Sequence, residues 1–273
     1  MEPVYSSVVA LARVIFAGQG LRFELLGADN VPRTGGAVMA INHTGYMDLA
    51  YAGLAARPAG RLVRFMAKDE VFRHRVSGPL MRGMHHIPVD RDAGAASYRA
   101  AMKALRSGEI VGVFPEATIS RSFELKEFKS GTARMAASAG VPILPTVIWG
   151  SQRVWTKGHP KRLGRTNIPI VLSVGEPILT GRRDDAEAVT ERLRVSMTAL
   201  LHAAQDGYPA LTGAERVYLP ARLGGTAPTP EQAAQLDADE AAAAPPGTPT
   251  SHLPTLLSAA TAPRSRTARP RRP

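Results

Sequence analysis

The chain contains no cysteine. That excludes disulfides, thiolate nucleophiles and cysteine-bound metal, and it is neutral on compartment. Aromatic residues make up only 5%, with two tryptophans. No zinc-finger, helix-turn-helix or RNP-like pattern accompanies the chain's positive charge, so no specific nucleic-acid partner is expected. Long apolar runs are also missing. The nearest, Val4 to Leu26, is interrupted by Arg13, Gln19 and Arg22 and lacks a basic start and a small-residue cleavage site. Neither a membrane span nor a signal peptide is expected there. Gly-x-Ser-x-Gly is absent, which argues against a serine hydrolase. His85 and His86 belong to no ligand spacing, so they are read as packing or hydrogen-bonding residues and no metal is expected.

What is present is a chain of 273 residues with 44% hydrophobic content, enough for one sizeable domain and a tail. The net charge of +11 and a pI near 10.5 point to an anionic partner: lipid headgroups, nucleic acid or phosphorylated small molecules. Residues 1–20 read as an amphipathic helix presenting Val4, Val8, Leu11, Ile15 and Phe16 on one side. Core packing and residence in a membrane surface are equally open for it. Short apolar runs at 21–26, 37–41, 63–67, 87–89, 109–114, 141–148 and 168–174 read as strands. Helices are expected at 70–75, 97–107, 128–139 and 184–205. Alternation of the two predicts an α/β fold with a mostly parallel central sheet flanked by helices, over 21–221. Trp149, directly after a strand, is expected in the core; Trp155 stays open. From 222 to 273 Ala, Pro and Arg dominate, and a disordered tail is expected, preferably a solvated one without a specific partner.

In such folds chemistry collects beyond the carboxyl ends of strands. At the end of the 37–41 strand stand His43 and Asp48. Five residues apart on one helix they would point about 140° from each other. They meet only if His43 lies in the turn and Asp48 in the first helical turn. The pair then makes a general base: an imidazole that takes a proton and a carboxylate that fixes its tautomer. An ordinary loop histidine beside an acid stabilised by the helix dipole remains open at this point. A second strand end carries Phe114-Pro115-Glu116-Ala117-Thr118-Ile119-Ser120-Arg121, followed by Lys126 and Lys129. A third carries Ile87-Pro88-Val89-Asp90-Arg91. Cations beside a general base suit a substrate with both a phosphate and a nucleophilic hydroxyl.

In order, Asn42-His43-x4-Asp48, Gly83…Ile87-Pro88-Val89-Asp90-Arg91, Phe114-Pro115-Glu116-x-Thr118 and Val141-Pro142-Ile143-Leu144-Pro145 resemble the four blocks of the glycerolipid acyltransferases, nearest those acting on 1-acylglycerol-3-phosphate. The likeness covers about residues 20 to 205, and four blocks in order are far more specific than one. The resemblance implies acyl transfer from a thioester, acyl-CoA or acyl-ACP, to the free hydroxyl of a lysophospholipid, giving phosphatidic acid, with no further cofactor. It implies His43 as base and Asp48 as its orienter, with Arg91, Glu116 and Thr118 at the glycerol-phosphate end. It also implies work at an anionic membrane surface, peripheral or monotopic on the cytoplasmic face. Backbone N–H groups at the helix start after His43 are expected to hold the oxyanion. The third block departs from the family's Phe-Pro-Glu-Gly-Thr-Arg-Ser: Ala117 replaces the glycine and Ile119 the arginine. Arg121, Lys126 or Lys129 is expected to supply the missing charge. Glycerol-3-phosphate, a lyso-amino-lipid and a glycolipid stay open as other acceptors.

Overall fold

The computed structural model describes residues 2–89 and 94–243. Helix α1 spans Pro3–Gly18, with proline in the first turn, where no intrahelical N–H bond is lost. Strand β1 is Arg22–Leu26. Strand β2, Ala37–Ile41, leads into helix α2, Asp48–Ala55. Strand β3 (Val63–Lys68), helices α3 (Asp69–Arg73) and α4 (Ser77–Gly83), and strand β4 (Ile87–Val89) follow. Next come α5 (Gly94–Arg106), β5 (Ile110–Val113), α6 (Gly131–Ala139) and β6 (Ile143–Trp149). The last elements among the described residues are β7 (Pro169–Val174), α7 (Ala186–Asp206) and α8 (Pro230–Ala243).

The seven strands form one sheet in the order β1-β7-β6-β2-β5-β3-β4. Central β2 pairs in parallel with β5 and β6, and β3 in parallel with β5 and β4. Strand β7 runs antiparallel to β6. Residues 150–168 hold only a short 3-10 turn, whereas a parallel return needs a longer crossover, usually a helix. Edge strand β1 then pairs in parallel with β7.

Every residue of β2 is buried, as expected of a strand covered on both faces. Its alternation survives in the packing. Val38 and Ala40 join Met102, Leu105, Met135 and Leu193 on the α5–α6–α7 side. Ala37, Met39 and Ile41 join Phe16, Tyr51 and Ala55 on the α1–α2 side. Full burial of a side chain such as Ile41 contributes roughly 1.5–3 kcal/mol, so β2 cannot slip, and the turn after it is fixed in space.

Several local expectations need correction. On α1 the buried side chains are Tyr5 and Phe16, while Val4, Leu11, Val14 and Ile15 are 40%, 61%, 69% and 41% exposed. The expected stripe is therefore split: Phe16 faces inward, Val8 packs on the cluster of Tyr5 and Phe72, Val4 packs on Gly83 of α4, and Leu11 and Ile15 face outward. Helix α4 was not foreseen, because Gly78-Pro79 reads as a turn. Helix α6 starts at Gly131, not 128, because the residues before it serve the site. The disorder expected from 222 does not hold over 222–243: Ala221–Leu223 is a 3-10 turn and Pro230–Ala243 is α8. The rest of the expected tail lies outside the described residues.

Candidate active site

Strands β2, β5 and β6 are parallel neighbours, so their carboxyl ends open on one edge of the sheet. His43 stands two residues beyond β2 and Asp48 opens α2. His43 Nδ1 lies 2.9 Å from Asp48 Oδ2. That oxygen also accepts the backbone N–H of Thr44 at 2.7 Å and of Gly45 at 2.8 Å. The other carboxylate oxygen accepts the hydroxyl of Ser151, just past β6. Asp48 is completely buried, and these donors offset the cost of burying its charge. Gly45 is required by close approach, since a Cβ there would stand 3.0 Å from both Ser151 Oγ and the Trp155 carbonyl. With Nδ1 engaged, Nε2 is the nitrogen left for chemistry. The ring stacks on Phe114, centroids 4.3 Å apart. Its side chain keeps 21% of its exposure, enough to reach a bound molecule.

The turn is riveted from both sides. Asn42 donates through Nδ2 to the Ile148 carbonyl at 3.0 Å and accepts the Ile148 N–H at 2.7 Å, closing β2 onto β6. Ser120 N–H donates to the His43 carbonyl at 2.7 Å, and Thr156 Oγ1 donates to the Thr44 carbonyl at 2.7 Å. This wiring narrows one expectation. The N–H groups of Thr44 and Gly45 are spent on Asp48, and that of Tyr46 donates to the Trp155 carbonyl. These three do not form an oxyanion hole.

Glu116 is buried, and its carboxylate spans two loops. Oε1 accepts the His43 N–H at 2.9 Å and Oε2 the Lys126 N–H at 3.0 Å. Burial pushes its carboxyl up to about 8, against the pull of the two N–H donors. It braces the frame. Lys129 N–H donates to the Pro115 carbonyl at 3.1 Å, so residues 126–129 are held out of α6. The Lys129 side chain is exposed. Ala117 has φ 61°, the left-handed region that favours the glycine of the family pattern. Ile119 is buried.

The cations gather beyond. Lys126 Nζ donates to Thr118 Oγ1 at 2.8 Å. Lys126, Arg121 and Lys157 converge on two carboxylates of α8. Arg121 lies 3.0 Å from Asp237 and 2.7 Å from Glu240, and Lys157 lies 3.1 Å from Glu240. Lys126 also pairs with Asp237. Arg91 lies outside the described residues. Sequence reasoning had missed Asn42's side-chain role, Ser151 and Lys157. Ser151 and Lys157 sit in an irregular segment, and a polar residue just beyond a buried strand was the available signal for Ser151. His86 is buried and accepts the Phe65 N–H at Nδ1, 3.1 Å away. Burial pushes its imidazole down to about 3. Trp149 is fully buried, and Trp155 packs on Tyr46 under Lys161.

Residues 22–149, from β1 to the end of β6, match the family model described as Acyltransferase. The 1-acyl-sn-glycerol-3-phosphate acyltransferase of Bacillus subtilis (strain 168) is 30% identical over 183 residues, 66% of this chain and 84% of the relative. The enzymes of the same name from Limnanthes douglasii and Borreliella burgdorferi are 29% and 28% identical, and the aligned parts cover 49% and 55% of those proteins. The chain thus spans about half the length of these two relatives. The solved structure of the 1-acyl-sn-glycerophosphate (LPA) acyltransferase from Thermotoga maritima superposes with a TM-score of 0.57 at 21% identity, over 73% of this chain and 81% of that one. That likeness is one of fold.

Proposed function

The chain belongs to the acyltransferase family, and from that premise we propose that it moves a fatty acyl chain from a thioester to the free hydroxyl of 1-acylglycerol-3-phosphate, giving phosphatidic acid. The observation that carries this reading is the His43–Asp48 pair held at the tip of β2 with Nε2 free. His43 Nε2 takes the proton of the acceptor hydroxyl as its oxygen attacks the thioester carbonyl. The tetrahedral intermediate collapses, the carbon–sulfur bond breaks, and the imidazolium returns the proton to the leaving thiolate. Asp48 keeps the tautomer and stabilises the imidazolium. No side-chain nucleophile is required. The Ser151 hydroxyl donates to Asp48, which disfavours its use as an acyl-enzyme nucleophile.

The acceptor's phosphate is assigned to the cation rim of Arg121 and Lys126, with Thr118 beside them, and Arg91 and Lys129 are assigned a contribution of charge. Acyl-CoA or acyl-ACP serves as donor. The outward face of α1 lies in the membrane surface, its exposed Leu11 and Val14 among acyl chains. Among the described residues no helix is long and apolar enough to cross a membrane. The enzyme is assigned to the cytoplasmic face, where both thioester donors are made and anionic lipids attract its positive charge.

The test is an assay of purified protein with labelled acyl-CoA and acyl-ACP against 1-acylglycerol-3-phosphate, glycerol-3-phosphate, a lyso-amino-lipid and a glycolipid acceptor. 1-Acylglycerol-3-phosphate is expected to be preferred. The His43→Ala variant is expected to lose transfer by roughly 10²–10⁴-fold. Full transfer by that variant ends the proposal.

A further inference from the structure

The cation rim is occupied. Asp237 and Glu240, three residues apart on one face of α8, bring two carboxylates to Arg121, Lys126 and Lys157. A phosphomonoester carries about −1.5 to −2 charge at neutral pH, so the two carboxylates match it closely. The rim is tied to the base by short links. The Lys126 N–H and the His43 N–H share the Glu116 carboxylate. Helix α8 has little else to hold it: its one buried residue is Ala233. Thr229 and Gln232 cap its start by exchanging side-chain and backbone bonds. The segment before it is anchored through buried Tyr218 and Ala227. The helix therefore has a fixed hinge end and a far end held by charge.

We propose that Arg121, Lys126 and Lys157 form a phosphomonoester site that α8 keeps closed, Asp237 and Glu240 standing in for the phosphate until substrate displaces them. This rests on the assignment of the acceptor's phosphate to this rim. It adds Lys157 as a binding residue and α8 as an autoinhibitory element. Partly exposed ion pairs are each worth little, so exchange for a bound dianion is inexpensive, and neutralising the competing carboxylates raises the fraction of open site.

The full chain is compared with its Asp237→Asn/Glu240→Gln variant, both also carrying His43→Ala, by calorimetric titration with inorganic phosphate. Phosphate binding is expected to tighten roughly fivefold or more in the variant, and Lys157→Ala is expected to weaken it. This arm needs no turnover, so it stands or falls separately from the acyl-transfer reading. With His43 intact, the same variant is assayed for both substrates. A fall in KM for 1-acylglycerol-3-phosphate assigns the site to the acceptor, and a fall in KM for acyl-CoA assigns it to that donor's own phosphate. Because the chain has no cysteine, a fluorophore on Leu236→Cys, an exposed position of α8, reports the helix alone. Phosphate is expected to shift its emission. Unchanged or weaker phosphate binding in the carboxylate variant, or a label that stays still as phosphate binds, overturns the proposal.

Discussion

The two halves of the site are built by different physics. The base half joins His43, Asp48, Ser151 and Glu116 across the tips of β2, β5 and β6, and three of these four side chains are buried. Its bonds are short, mostly to backbone, and each buried donor left unpaired would cost about 1–3 kcal/mol. The cation half sits at the rim, with Arg121 and Lys126 side chains 17% and 30% exposed, and its partners are carboxylates on a helix with one buried residue. Such pairs contribute about 0–1 kcal/mol each. The His43–Asp48 geometry is thus fixed by folding, while the ion pairs of the rim are exchangeable, as the proposed base and phosphate-binding roles require.

The strongest way to break this comparison is Asp48→Asn. The amide can keep one oxygen toward the Thr44 and Gly45 N–H groups, so the turn survives, but the charge that stabilises an imidazolium is gone. We expect kcat to fall on the order of 10³-fold with KM for the acceptor nearly unchanged, measured by steady-state kinetics. A KM that rises as far as kcat falls would show that the halves are one unit.

How much of this was legible in the sequence follows the same division. Strands 37–41 and 110–113 are short apolar runs whose burial on both faces needs only composition to read. The His43–Asp48 pairing follows from spacing and a turn. The partners of the pair are not local: Ser151 reaches Asp48 across 103 residues and Asn42 reaches Ile148 across 106. The engagement of the Thr44 and Gly45 N–H groups was not legible, because a sequence does not tell which loop N–H groups a carboxylate will consume. Helix α8 was hidden by its Ala- and Pro-rich setting, although Thr229-Pro230-Glu231-Gln232 is a capping box with proline at the first helical position. Its role was hidden more deeply, since Asp237 meets Arg121 across 116 residues.

A second prediction sharpens the account of the base half through Glu116. Its folded carboxyl sits at about 8 against an ordinary 4.5, so folding takes up a proton between these values. The stabilisation is complete below pH 4.5 and is lost as pH rises through about 8. Denaturant unfolding of wild type and Glu116→Gln at pH 5 and pH 8 isolates it. The wild type should lose roughly 3–4 kcal/mol relative to the variant over that interval, at 1.4 kcal/mol per pKa unit. Buried His86, pushed down to about 3, contributes with opposite sign, losing stability as pH falls below 6.5, and cancels between the two proteins. A flat difference would mean that Glu116 is ionised throughout.

The smallest effect separates frame from rim. Ala117 holds φ 61° between the brace Glu116 and the Thr118–Lys126 contact. A left-handed residue with a Cβ costs roughly 1–2 kcal/mol, and glycine returns about 0.5–1 kcal/mol of that through chain entropy. Ala117→Gly should therefore stabilise the protein by roughly 0.5–1 kcal/mol in denaturant unfolding. Kinetically it should leave kcat unchanged, because the His43–Asp48 geometry is set by Asn42, Ser151 and Glu116 and not by this residue. If kcat changed severalfold while stability stayed level, the strain at 117 would belong to the catalytic frame, and the line drawn between the two halves would have to move inward to include it.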